Sequence, residues 1–141
     1  MDLDKVFVFG TLKEGFPNYH INNGTRLKGE FQTLNRYPLY LVGERNSPWL
    51  VLEEGEGWHV KGEVYSVTRE ALTNMDKLER ILEPDGYQKE TIQVRCCETE
   101  ELIDVLVYGK TIKQIKNAKI RKILAGEYLI EHSILYQKRR L

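Results

Sequence analysis

Apolar β-branched and aromatic residues open the chain as Val6-Phe7-Val8-Phe9, and the run breaks at once into Gly10-Thr11-Leu12-Lys13, then Glu14-Gly15 and Pro17. Such a run bounded by glycine and proline predicts a strand feeding a tight loop. Pro17 and the asparagines that follow leave 16–23 irregular, with room for one helical turn. Leu27 to Leu34 and Tyr37 to Val42 read as strands, and Tyr37-Pro38 marks an edge or a strand start because proline cannot donate to a ladder. Asn46-Ser47-Pro48-Trp49-Leu50-Val51-Leu52 is a loop running into a short apolar strand. Gly55-Glu56-Gly57 is a turn, and Trp58 to Val67 resumes period-2 alternation with Val60, Gly62 and Val64 on one side.

The period then changes. Thr68 is a suitable N-cap for a helix running to about Leu82, with Glu70 in its first turn and Pro84 as its stop. Tyr87 to Cys97 and Leu102 to Tyr108 form a hairpin in which Ile92, Val94 and Cys96 alternate with polar neighbours. A final basic, amphipathic helix is expected over about Ile115 to Leu124, ending at Gly126. Strands outnumber helices and no βαβ rhythm is present. The expected fold is therefore α+β: a small mixed, mostly antiparallel sheet curled toward a β-barrel, with flanking helices.

Composition narrows the class. The 141 residues, 41% hydrophobic and 30% charged, suit one globular domain spanning 1–141. Lys plus Arg equals Asp plus Glu at 21 each, so nothing in the balance favours nucleic acid or an anionic membrane. The only basic run, Lys138-Arg139-Arg140, reads as a solvated tail. No window approaches the roughly 20 apolar residues of a membrane helix, and residues 1–5 lack the pattern of a signal peptide, so a cytoplasmic location is expected. The adjacent Cys96 and Cys97 point to opposite faces of a strand and read as ordinary thiols. His20, His59 and His132 share no ligand spacing with each other or with the cysteines, so a metal site has no support in the sequence.

Two features carry candidate chemistry. A strand that stops at Gly10-Thr11 turns several backbone N–H groups the same way, and such a nest holds a carboxylate or an oxyanion. On the helix, Leu72, Met75 and Glu79 fall within about 60° of one another, so Glu79 occupies an apolar position. A carboxylate facing a core loses hydration, which moves it toward the range where it both takes and gives a proton near neutral pH. Asp76 and Glu83 lie at nearby angles, and periodicity does not choose among the three. Tyr37, Trp49, Tyr65 and Tyr87 supply aromatic side chains from neighbouring strands.

Phe-Val-Phe-Gly-Thr-Leu-Lys at 7–13, Pro17-Asn18, Tyr37-Pro38-Leu39, Gly-Glu-Arg-Asn-Ser-Pro-Trp-Leu at 43–50, Gly-Glu-Val-Tyr at 62–65, Met-Asp-Lys-Leu-Glu at 75–79 and Tyr87-Gln88-Lys89 stand in order over about 5–109. This ordered set resembles the gamma-glutamylcyclotransferase superfamily, in particular its gamma-glutamylaminecyclotransferase branch, with which the plant avirulence-induced and insect troponin-C-akin proteins are grouped. The resemblance implies a small β-barrel and a cofactor-independent lyase reaction. In that reaction a gamma-glutamyl amine such as gamma-glutamyl-ε-lysine becomes 5-oxoproline and a free amine. Carried over by position, the strand-turn motif falls on Phe9, Gly10, Thr11 and Leu12, whose amides would hold the glutamyl moiety. The acid of the helix motif falls on Glu79, as general acid and base, and Pro48, Trp49, Leu50 and Tyr87 would line the pocket.

Phe9 stands where that motif usually has tyrosine, and beyond Lys110 the chain departs from the pattern. The implied partner is a small gamma-glutamyl molecule. Two alternatives stay open at this point: a non-catalytic binding or interaction module on the same fold, or the same chemistry acting on glutathione or gamma-glutamyl amino acids.

Overall fold

A computed structural model describes residues 3–136; the Lys138-Arg139-Arg140 tail lies outside the described residues. The strands are β1 (Asp4–Val8), β2 (Thr25–Arg26), β3 (Phe31–Tyr37), β4 (Leu39–Val42), β5 (Ser47–Leu50), β6 (Trp58–Val67), β7 (Gln88–Cys96), β8 (Leu102–Gly109) and β9 (Ile120–Leu124). Helices α1 (Arg69–Leu78), α2 (Ile112–Ile115) and α3 (Ile130–Ser133) join a single 3-10 turn at Tyr19–Ile21.

Strand order β1-β8-β7-β3-β6 returns to β1 through a β1–β6 pairing, so five strands close a barrel, and β2 adds to the far part of β6. Only β1–β8 is parallel among these pairs. Closure follows from alternation. Phe7 and Phe9, Val60 and Val64, Ile92 and Val94, and Val105 and Val107 point into one buried cluster. Their neighbours Val6, Val8, Tyr65, Val67 and Tyr108 point out into a second. Gly62 makes room for this arrangement, since a Cβ there would lie 2.5 Å from the Val8 carbonyl and 2.7 Å from the Phe7 ring.

Helix α1 covers the second cluster with Ala71 and Met75. Thr68 caps it as expected, its side-chain oxygen accepting from the Ala71 N–H at 3.1 Å. The helix thereby lies across the outer face of the barrel and aims its C-terminal end at the turn that follows β1.

A smaller sheet, β5-β4-β9, flanks the barrel. It corrects the expected helix over 115–124: only Ile112–Ile115 is helical there, and Ile120–Leu124 pairs antiparallel with β4. The spacing of apolar residues suited a helix, but β4 has an open edge opposite β5, and ladder bonds to that edge outweigh a weak local preference. Leu124 is buried while Ile120 and Ile123 stay exposed, which is the pattern of an edge strand. The chain then turns at Gly126, where a Cβ would lie 2.6 Å from the His59 carbonyl.

Candidate active site

The turn after β1 is tied down from several directions. The Asn18 N–H donates to the Thr11 carbonyl at 2.8 Å, and its side-chain amide donates to Thr11 Oγ1 at 3.0 Å. Asn22 donates to the Leu12 carbonyl at 3.0 Å. Lys13, buried, donates to the Tyr128 carbonyl at 2.5 Å and lies over the Phe16 ring. Burial pushes its ammonium below the usual lysine range, opposed by the nearby Glu63 carboxylate. Glu63 itself accepts from the Glu14 N–H and the Tyr65 hydroxyl, both at 2.9 Å. With carbonyls and side chains so engaged, the N–H groups of Thr11 and Leu12 have no acceptor among the described residues. N–H groups left in this state are what an anion-binding nest uses.

Glu79 is brought to this turn by the way α1 ends. The helix stops at Leu78, not Leu82, and Glu79 is its C-cap. Arg80 adopts a left-handed conformation, φ 54°, with its N–H on the Lys77 carbonyl, while the Ile81 N–H reaches the Asp76 carbonyl. This is a Schellman closure with arginine in the place glycine usually takes. Two 2.8 Å hydrogen bonds from Arg80 to Asp85 brace it. The Tyr87 N–H then donates to the Glu79 carbonyl at 2.9 Å, so the loop folds back and sets Tyr87 beside Glu79.

Gly86 permits that return. A Cβ there would fall 1.7 Å from the Arg80 carbonyl oxygen. Gly86→Ala is therefore expected to force the loop open, lowering stability by about 1–3 kcal/mol, as overpacking does elsewhere. Thermal denaturation checks this, and an unchanged melting temperature would show that the loop relaxes freely.

The turn and the helix end face each other across a cavity of about 460 Å³, within the range of small-molecule sites. Phe9, Gly10, Thr11 and Leu12 line one side, Glu79 and Tyr87 another, and Pro48 a third, with Arg45, Asn18, Tyr108 and Tyr136 completing the wall. Pro48 is fixed by the Tyr87 hydroxyl, which donates to its carbonyl at 2.9 Å. Two residues expected in this wall lie elsewhere. Trp49 and Leu50 follow Pro48 on β5, where alternation turns Trp49 to the other face and an adjoining hollow, while Leu50, on the face of Pro48, lies in the buried core. Tyr37 and Tyr65 are likewise buried in the two clusters.

The three acids on the helix are now distinguished by their surroundings. Asp76 accepts from the Tyr108 hydroxyl at 2.6 Å and from Lys89 at 2.9 Å. Glu83 is exposed beyond the helix end. Glu79, half-buried, lines the cavity. Burial pushes the Tyr87 phenol well above its usual range, and the negative charge of Glu79 adds to the effect. Tyr108 is raised by burial and by its bond to Asp76. Both phenols therefore stay protonated at neutral pH. Among the described residues no three His, Cys, Asp or Glu side chains converge as metal ligands.

The C-terminal segment places Tyr136, just beyond α3, in the cavity wall. The Leu129 N–H donates to His132 Nδ1 at 2.9 Å, which requires that nitrogen to be unprotonated. Burial lowers the His132 pKa from its ordinary value. The unfolded chain takes up the proton near pH 6.5 and the folded chain only at lower pH, so stability falls as pH drops below about 6.5. Melting temperatures at pH 7.5 and 5.5 should show this loss in the wild type and a smaller one in His132→Asn. Equal losses would place the titration elsewhere.

Sequence and structure comparisons agree on the relatives of this chain. Residues 6–129 match the family described as gamma-glutamyl cyclotransferase, AIG2-like. The chain belongs to that family. It is similar to gamma-glutamylaminecyclotransferase B of Danio rerio, 39% identical over 114 residues, covering 75% of this chain and 59% of that protein. It is also similar to gamma-glutamylaminecyclotransferase of Mus musculus, 37% identical over 100 residues, covering 67% of this chain and 66% of that protein. The chain thus spans between 59% and 66% of the length of these two relatives. The crystal structure of an AIG2-like protein from Mus musculus superposes with a TM-score of 0.82 at 28% identity, covering 100% of this chain and 99% of that one.

In this gamma-glutamyl cyclotransferase family member, several wall residues had not been singled out from sequence. Arg45 sits on the turn between β4 and β5, and Tyr136 comes from the far end of the described chain. Asn18 ties the two ends of the site together, donating to both Thr11 Oγ1 and, at 3.2 Å, the Tyr136 hydroxyl. The Pro17-Asn18 pair was visible as part of the resemblance, but the bond from Asn18 to Tyr136 spans 118 positions. No local pattern marks that contact.

Proposed function

We propose that the protein is a gamma-glutamylaminecyclotransferase-like enzyme that converts a gamma-glutamyl amine, such as gamma-glutamyl-ε-lysine, into 5-oxoproline and the free amine. The observation that supports this most is the placement of the half-buried Glu79 across one cavity from the open N–H groups of Thr11 and Leu12. In the reaction the α-amine nitrogen attacks the γ-carbonyl carbon of the same molecule. A five-membered ring closes, the amide C–N bond breaks, and the proton lost by the attacking nitrogen is delivered to the leaving one. One carboxylate, Glu79, serves both transfers. The phenols of Tyr87 and Tyr108 are held protonated and bonded to Pro48 and Asp76, so proton traffic falls on Glu79.

The turn at Gly10 to Leu12 supplies fixed N–H donors for the substrate's α-carboxylate or the developing oxyanion. Ring closure within one bound molecule needs orientation rather than a protein nucleophile. Incubation with gamma-glutamyl-ε-lysine, glutathione and gamma-glutamylalanine tests the reading. The expected result is 5-oxoproline, released fastest from gamma-glutamyl-ε-lysine. A faster reaction with glutathione would move the substrate to gamma-glutamyl peptides. No 5-oxoproline from any of them would leave a binding module on this fold.

A further inference from the structure

The cavity and the adjoining hollow share Arg45, Ser47 and Tyr87. The turn at 9–12 and Glu79 line only the first, whereas Trp49 and Lys110 line only the second. A gamma-glutamyl group seated on the turn keeps its scissile nitrogen within reach of Glu79, and the wall shared with the hollow is open to the rest of the leaving amine. Arg45 stands on this wall at the tip of the Gly43–Asn46 turn, which is closed by the Asn46 N–H on the Gly43 carbonyl at 3.2 Å. The Asn46 side chain pins the turn to the Leu135 carbonyl at 3.3 Å.

Arg45 is half-buried and enters no ion pair among the described residues. The acids around it are placed for other tasks. Asp85 takes two hydrogen bonds from Arg80, Glu44 is exposed to water, and Glu79 is required as the proton carrier. A partly desolvated guanidinium with no carboxylate partner among the described residues is a recognition group for one, because a fork of N–H donors matches two carboxylate oxygens.

Resting on the cyclotransferase reading, we propose that Arg45 is a specificity-determining residue. It binds a carboxylate carried by the leaving amine, so that the favoured substrates are gamma-glutamyl amines whose amine half is itself an acid. Decarboxylated amines of the same length bind the site without this contact and are turned over less efficiently.

Gamma-glutamyl-ε-lysine and gamma-glutamylcadaverine differ only in that carboxylate and form a matched pair. The wild type should favour the lysine compound by about 10- to 100-fold in kcat/KM, the range of one charge-assisted contact. In Arg45→Met the ratio should collapse toward one, and Arg45→Lys should restore part of it. Because the ratio is taken within each protein, it does not depend on how much of a variant is folded. A ratio unchanged in Arg45→Met overturns the assignment, as does a wild type with no preference. Equal losses on both compounds would place Arg45 on the shared glutamyl end and also overturn it. Binding titrations of the same pair to Glu79→Gln and to Glu79→Gln with Arg45→Met read the ratio as affinities. They decide the role of Arg45 even if no 5-oxoproline is ever formed.

Discussion

Glu79→Gln is expected to lower the rate of 5-oxoproline formation by about 10²–10⁴ while the protein stays folded. The amide has nearly the same shape but carries no exchangeable acid proton at neutral pH. Its backbone duties persist, since the Glu79 N–H on Met75 and the Glu79 carbonyl under Tyr87 do not involve the side chain. A half-buried position at a helix end should tolerate the change within about 0.5 kcal/mol. Turnover and melting temperature measured on one preparation separate the two effects. Near wild-type turnover would remove Glu79 from the reaction. Asp76, already bonded to Tyr108 and Lys89, would be a poor replacement.

The second large effect is expected at Gly10. A Cβ there would lie 2.8 Å from Pro48 Cγ and 3.4 Å from its Cβ. Gly10→Val adds two methyl groups to that clash, so the turn must shift or Pro48 must retreat. Pro48 cannot move alone, because its carbonyl holds the Tyr87 hydroxyl and the Tyr87 N–H holds the Glu79 carbonyl. One substitution therefore displaces the N–H cradle and disturbs the opposite wall. Activity should fall at least about 100-fold, the size of losing one oxyanion donor, against a stability loss of about 1–3 kcal/mol from overpacking. Affinity for 5-oxoproline is the direct check. Wild-type affinity in Gly10→Val would show that the turn is not where the glutamyl moiety rests.

Much of the barrel could be read from alternation alone. The run Trp58–Val67 is β6 without change of boundary; β7 is one residue shorter at each end than expected, and β8 starts at Leu102 as expected and runs one residue further. Strands whose two faces meet different surroundings announce themselves in sequence, because each position is constrained by burial. The C-terminal part did not. Ile120–Leu124 has four exposed positions in five, so its strand character comes from the free edge of β4 rather than from its own residues.

The candidate site was legible where one local motif carries it and obscure where distant segments meet. Phe9 to Leu12 and Glu79 come from a strand-turn and a helix with clear patterns. Arg80 hid the end of α1, because a left-handed arginine gives none of the warning that glycine would, and so Glu79 was expected inside the helix rather than at its cap. Trp49 and Leu50 stand beside Pro48 in sequence, yet β pleating turns Trp49 to the opposite face, and Leu50, on the face of Pro48, is buried in the core. Arg45 and Tyr136 enter the cavity only through tertiary packing.

Intramolecular ring closure is the core of the account, and the fate of solvent oxygen reports on it most directly. Gamma-glutamyl-ε-lysine would be turned over in isotopically labelled water and both products analysed by mass. The account predicts 5-oxoproline without label and an equal amount of free lysine, since the substrate's own amine, not water, attacks the carbonyl. Labelled glutamate as the first product would contradict it, because water would then be the nucleophile and the cavity would belong to a hydrolase.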